Sequence, residues 1–215
     1  IDPSDRNLFA QIERLKPQLI GLSTASIGYK MSYEIVSKLK KSFPQIPIAI
    51  GGSHVSTVHT KALEETEADY GVYGEGEKTF IELARNEPAE NIKGLIWRKK
   101  GNIVMNPPAP LAQDLDDFPY PAYQKFQLSK FLEKRIPLVT SRGCPNRCTF
   151  CSIQLVMGYP FRTRSPENVV DEIEHWCNKG YDTFEISDDN FTFNQPRAEK
   201  ICDIITERGL KIKMI

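Results

Sequence analysis

The chain has 215 residues, 40% of them hydrophobic, and its 28 basic and 28 acidic side chains cancel to a formal charge of zero. That length accommodates one large or two small domains around a sizeable core, while the even balance gives no electrostatic case for a nucleic-acid or anionic-membrane partner. No apolar run reaches the length of a membrane span, and five cysteines with three in one short loop do not make a secreted disulfide framework, so reduced thiols and a cytoplasmic location are expected.

The first ninety or so residues alternate helix and strand. Leu8 to Leu15 has helical spacing, Leu19 to Ser23 reads as a strand, Ser32 to Phe43 as a helix, and Ile46 to Ile50 as a strand ending at Gly51-Gly52. Thr57 to Glu65 then reads as a helix, Tyr70 to Tyr73 as a strand and Glu77 to Asn86 as a helix. The pattern predicts an α/β fold whose N-terminal part, 1–92, is a doubly wound parallel, flavodoxin-like sheet. Ligands of such sheets sit at the carboxyl ends of the strands, which singles out Ser23, Gly51, Gly52 and Gly74. His54 and His59 lie near an expected helix start, where capping or surface exposure is the simpler reading than metal ligation.

Leu95 to Arg98 and Asn102 to Met105 flank Lys99-Lys100-Gly101 in the pattern of a small hairpin. Asn106 to Tyr123 carries five prolines, Pro107, Pro108, Pro110, Pro119 and Pro121, too many for a regular helix or central strand. Residues 93–135 are therefore expected to form a hairpin and linker, with Asp114, Asp116 and Asp117 solvated.

The remainder, 136–215, restarts the βα alternation. Ile136 to Thr140 reads as a strand that Gly143 and Pro145 break, Ser165-Pro166 as a helix start, Thr183 to Ser187 as the next strand, Gln195 to Arg208 as the next helix, and Lys211 to Ile215 as a third strand. These are the first βα units of a barrel, incomplete at the C-terminus. Arg162 and Arg164 are read as surface residues, Cys177 and Cys202 as small buried hydrophobes on helices.

Cys144, Cys148 and Cys151 stand at C-x3-C-x2-C after the first of these strands. Three thiolates can hold three corners of an iron-sulfur cube, and the missing fourth ligand leaves one iron open for chemistry. With Phe150 just before the last cysteine, the segment resembles the cluster loop of the radical S-adenosylmethionine superfamily, which implies a partial TIM-like barrel. The resemblance further implies that the open iron of a 4Fe-4S cluster chelates S-adenosylmethionine, whose reductive cleavage gives a 5'-deoxyadenosyl radical. Phe150 would pack near the adenine, and ordinary loop packing is its bland alternative. Where many members carry Gly-Gly-Glu, this chain has Asp188-Asp189-Asn190, similar to the variant of cobalamin-associated members. Asp188 and then Asp189 are thereby implied as contacts to the methionine ammonium, against a polar turn that caps the next helix.

Gly21-Leu22-Ser23, Ile50-Gly51-Gly52-Ser53-His54 and Gly74-Glu75-Gly76-Glu77 resemble the cobalamin-binding domain that often precedes such a barrel. The resemblance implies that Ser23, Gly51 and Gly52 surround the cofactor's nucleotide tail. Glycine lets a bulky ligand lie against the main chain. The Asp-x-His-x-x-Gly motif that supplies a cobalt ligand in classical cobalamin domains does not occur, so the lower ligand stays open. Ile1 in place of methionine and an expected missing first strand mark the chain as a fragment. The implied function is cobalamin-dependent methyl transfer to an unactivated carbon of a small molecule, with an external donor such as a flavodoxin or ferredoxin. A non-methylating relative such as an anaerobic tetrapyrrole cyclase, and a non-catalytic iron-sulfur or zinc module, are the alternatives.

Overall fold

The computed structural model describes residues 8–125 and 135–215, which divide into two compact units, 8–111 with 155–157, and 112–125 with 135–154 and 158–215. In the first, α1 (Leu8–Leu15), β1 (Ile20–Ser23), α2 (Tyr29–Ser42), β2 (Ile48–Gly51), α3 (Ser53–Val58), α4 (Lys61–Glu64), β3 (Tyr70–Val72) and α5 (Glu77–Ala84) precede the hairpin β4 (Leu95–Lys99) and β5 (Asn102–Met105). The sheet order is β1-β2-β3-β4-β5, parallel through β3 and antiparallel beyond it.

Alternation along β2 divides the core into two layers. Ile48 and Ile50 face Ile12, Val36, Leu39, Val55 and Leu63 of α1 to α4. Ala49 faces the other way, with Val72 and Leu95, toward Leu83 of α5 and Ile92. Both faces are thus covered by helix, as a flavodoxin-like fold requires. The helix expected at Thr57 to Glu65 is instead two short ones, α3 and α4, separated at His59, whose φ is +52.

The hairpin is no linker element: it is the antiparallel edge of the first sheet. Its side chains satisfy carbonyls that would otherwise be orphaned. Arg98 donates to the carbonyls of Leu63, Thr66 and Ala68 at 2.5, 2.8 and 3.1 Å. Asn106 donates to those of Ala89 and Ile92 and accepts from Trp97 Nε1 at 3.1 Å. Such non-local pairing is invisible to strand periodicity.

In the second unit β6 (Arg135–Leu138), β9 (Thr183–Ile186) and β10 (Lys213–Met214) form a parallel sheet of order β10-β9-β6, with α7 (Pro166–Cys177) and α8 (Gln195–Glu207) as the crossovers. A two-residue antiparallel pair, β7 (Ser141–Arg142) with β8 (Arg162–Thr163), lies between, on either side of α6 (Ile153–Met157). The expected cap forms, Ser165 Oγ accepting from Asn168 N at 3.1 Å with Pro166 in the first turn, and α8 is capped by Asn194. Ile136, Leu138, Ile173, Trp176, Phe184 and Ile201 make up much of the core. This is the βαβαβ beginning of a barrel.

The proline-rich segment packs on this unit rather than floating free. Tyr123 lies against Trp176 and donates to the Pro137 carbonyl at 2.9 Å, while Asp116, expected to be solvated, accepts from Ser165 N–H at 3.0 Å. Residues 126–134 of the expected linker lie outside the described residues. Cys202, expected to be buried, is exposed on α8, and Cys177 is half-buried. Among the described residues no helix is long and apolar enough to cross a membrane.

Phe184 is fully buried at the centre of β9. Phe184→Ala should destabilise the second unit by about 3–5 kcal/mol, read in the intact protein as loss of hydrogen-exchange protection across β6, β9 and β10.

Candidate functional site

The residues singled out from the sequence lie at the strand ends of each unit. In the second unit β6 delivers the chain to Thr140, and β7 carries it to Gly143. Gly143 has φ +81, and a Cβ there would stand 2.3 Å from the Pro160 carbonyl oxygen. Only glycine fits so close a backbone approach. Cys144 follows and is buried, whereas Cys148 and Cys151 are exposed. The turn beyond Cys144 is fastened by Cys151 N–H to the Cys148 carbonyl at 3.1 Å, Gln154 Nε2 to the Asn146 carbonyl at 2.7 Å, and the Arg147 guanidinium 5.5 Å from the Tyr159 ring centroid. Among the described residues no three His, Cys, Asp or Glu side chains stand close enough to hold a metal as they are. The cysteines share a loop but do not converge on one point. By donor chemistry they still suit an iron-sulfur group: all three are free thiols, and 143–151 contains no carboxylate or imidazole to compete.

Phe150 is 91% exposed, which excludes ordinary loop packing and leaves its ring available beside Cys151. Asp188 behaves otherwise than expected. Its Oδ1 accepts from Thr140 N–H at 2.5 Å, and its Oδ2 accepts from Thr140 Oγ1 and Ser141 Oγ, both at 2.6 Å. The carboxylate is engaged by the chain that leads to Cys144, and it does not cap α8, since Asn194 does. Asp189 is exposed, and its carboxyl is pushed up from the ordinary range, first by partial burial and then by the charge of Asp188. Of the pair it is the better placed to welcome a cation.

Arg162 and Arg164, expected at the surface, are buried. Arg164 pairs with Glu172 at 2.5 Å and donates to Asn168 Oδ1 at 2.7 Å, while Arg162 donates to the Ala112 carbonyl at 2.8 Å. Buried Arg197 of α8 donates to the carbonyls of Arg164 and Thr140 at 2.9 and 2.8 Å. Sequence reasoning missed Thr140, Glu172 and Arg197, because no periodic pattern announces a polar partner met only through the fold.

In the first unit Ser23, Gly51 and Gly52 do come together, lining with Gly21, Gly76 and Phe80 a cavity of about 270 Å³ at the carboxyl ends of β1, β2 and β3. The glycines serve different ends. Gly52 has φ +95 and would place a Cβ 2.8 Å from the Thr24 carbonyl oxygen, so the fold itself demands it. Gly51 would meet Val72 at no closer than 3.5 Å, an ordinary contact. Its bareness is spare room beside the cavity, the kind of cradle that a flat, bulky ligand lying on main chain requires. Gly74, with φ +72, serves a turn and is not among these lining residues.

His54 is neither a surface residue nor a free ligand. It stacks on Tyr29 at 4.4 Å, with Nδ1 3.3 Å from Ser26 Oγ and Nε2 3.1 Å from Tyr33 Oη. Burial pushes its pKa down against the opposing charge of Glu65, and it pushes the Tyr33 phenol up to about 12.

Residues 1–84 match the family profile of the B12 binding domain, and residues 138–215 match that of the Radical SAM superfamily. A Pyrococcus horikoshii protein named as an uncharacterized methyltransferase is 32% identical over 211 residues, covering 94% of this chain and 46% of the relative. The anaerobic magnesium-protoporphyrin IX monomethyl ester cyclase of Cereibacter sphaeroides is 27% identical over 225 residues, covering 98% of this chain and 36% of its own length. Among solved structures, the cobalamin-dependent S-adenosylmethionine radical enzyme OxsB with aqua-cobalamin bound matches in fold with a TM-score of 0.83 at 20% identity, over 99% of this chain and 32% of that one. The chain spans less than half the length of these relatives.

The lowered pKa of His54 makes stability depend on pH. Below its ordinary value of 6.5 the unfolded chain takes up a proton that the folded one resists, so this contribution is complete above 6.5 and is lost as pH falls toward the lower folded value. Resistance of the first unit to thermal unfolding should fall as pH drops through that window, and His54→Gln should flatten the dependence.

Proposed function

Because the chain belongs to the radical S-adenosylmethionine superfamily in its form with a B12-binding domain, we propose that it forms part of an enzyme that methylates an unactivated carbon of a small molecule. The observation that carries this is the C-x3-C-x2-C loop, which follows β6 within the segment that matches the superfamily. Cys144, Cys148 and Cys151 would hold a 4Fe-4S cluster, and the bare backbone at Gly51, with Ser23 and Gly52 beside it, would hold the nucleotide tail of cobalamin. The cluster would supply the electron that splits S-adenosylmethionine into methionine and a 5'-deoxyadenosyl radical, and the cobalamin would supply the methyl group that is passed on.

The chain's own residues have simpler tasks. Cys148 and Cys151 would have to approach Cys144 to share one cluster. The Asp189 carboxylate offers the ammonium of S-adenosylmethionine a charge-assisted hydrogen bond, and Phe150 offers the adenine a ring to stack on. An external flavodoxin or ferredoxin would deliver the electron, and a cytoplasmic location would keep the thiols reduced. A non-methylating outcome, ring formation on a tetrapyrrole, is the second reading, favoured by the cyclase relative.

Anaerobically reconstituted full-length protein should hold four irons with sulfide. A single zinc instead would establish a structural module. Replacing any one of Cys144, Cys148 or Cys151 by alanine should abolish reductive cleavage of S-adenosylmethionine, and retained cleavage in all three would sink the reading. Gly51→Leu fills the strand-end cavity at a position that tolerates a Cβ, so the protein should fold yet lose visible cobalamin absorbance after desalting. Unchanged retention would exclude this cavity as the tail site.

A further inference from the structure

Thr140 is fully buried, and each of its polar atoms is held by residues far away in sequence. Its N–H and hydroxyl go to Asp188, 48 residues on, and its carbonyl accepts from Arg197 Nη2 at 2.8 Å and Arg164 N–H at 3.0 Å. Ser141 adds its hydroxyl to the same carboxylate. Leu138 pairs with Ile186 in the parallel register, so Thr140 and Asp188 stand abreast two positions past the last paired residues. The chain just past β9, the start of α8 and buried Arg164 thus converge on Thr140 and Ser141, which lead through Arg142 to Gly143 and Cys144.

We propose that Asp188 is a positioning residue that bolts the root of the cysteine loop, and that it makes no contact with S-adenosylmethionine. The bolt itself stands on the contacts just given, and only its bearing on S-adenosylmethionine rests on the functional reading above. The chemistry of the partners separates the two roles. Thr140 Oγ1 and Ser141 Oγ are hydroxyls, which can accept as well as donate. In Asp188→Asn the amide oxygen keeps Thr140 N–H while the amide NH2 donates to both hydroxyls, so the bolt survives without its charge. An ammonium contact would not survive that change. Asp188→Ala removes the acceptor altogether and leaves a buried N–H unpaired.

The test uses iron-free, reduced, full-length protein, with the alkylation rate of Cys144 by iodoacetamide read by peptide mapping. Asp188→Ala should speed alkylation of this buried thiol by roughly tenfold to a hundredfold, the scale of losing one buried hydrogen bond, and Asp188→Asn should leave the rate within about threefold of wild type on the same scale. An unchanged rate in Asp188→Ala overturns the proposal. If that variant fails to fold, Thr140→Val combined with Ser141→Ala removes both hydroxyl donors while sparing the backbone bond; faster alkylation supports the bolt and an unchanged rate overturns it. A second arm measures the affinity of reconstituted protein for S-adenosylmethionine. Asp188→Asn with normal iron should bind within about threefold of wild type, whereas a loss of tenfold or more would make Asp188 a ligand contact. A wild-type protein that takes up no iron would defeat the functional reading but leave the alkylation arm intact.

Discussion

The parallel register of β6 against β9 determines what the second unit can present at its strand ends. Parallel neighbours carry their chains out of the sheet on the same side, so the pairing of Leu138 with Ile186 fixes which residues face each other beyond the last ladder bond. Once those two are abreast, Thr140 and Asp188 meet, and the cysteine loop starts from a fixed point. The first unit obeys the same rule. Ser23 lies opposite Gly51 at the end of β1 and β2, and the cavity opens where the paired strands stop.

Some of the charge is used deep. A buried guanidinium costs much in desolvation unless its donors are met, and Arg164 distributes its donors over Glu172, Asn168 and the Val139 carbonyl. Arg197 binds two carbonyls that no regular ladder uses. A chain with zero formal charge can therefore concentrate ionic groups at one end of a small sheet, where irregular backbone needs donors most.

The sequence made the local elements legible, and the structure shows why. Ile136 and Leu138 form a strand because their alternation puts both on the one buried face, and Ser165-Pro166 starts a helix because cap and first turn lie within four residues. The cysteine spacing is likewise local. What stayed hidden depends on distant chain: the hairpin joins the sheet through β3, Asp116 caps Ser165 from 49 residues away, and His54 is enclosed by tyrosines of the preceding helix. Composition alone made Arg164 look exposed, since arginine usually is; its burial goes with Glu172, in the helix that begins just after it, a pairing beyond the reach of a residue-by-residue reading. The single Asp-Asp-Asn segment illustrates the limit most sharply, because adjacent carboxylates of the same type meet opposite surroundings.

The turn at Lys100-Gly101 joins β4 to β5, both residues having positive φ, +50 and +87. Because β4 runs antiparallel to β3, this turn lies at the end of the sheet opposite the carboxyl ends of β1, β2 and β3. Gly101 has nothing near its missing Cβ. Extra chain threaded in here would grow outward from the closed end of the sheet, like a handle fitted to the back of a vessel. A fluorophore, affinity peptide or tether placed at this point would report on the first unit, or immobilise it, from the end of the sheet opposite the strand-end cavity.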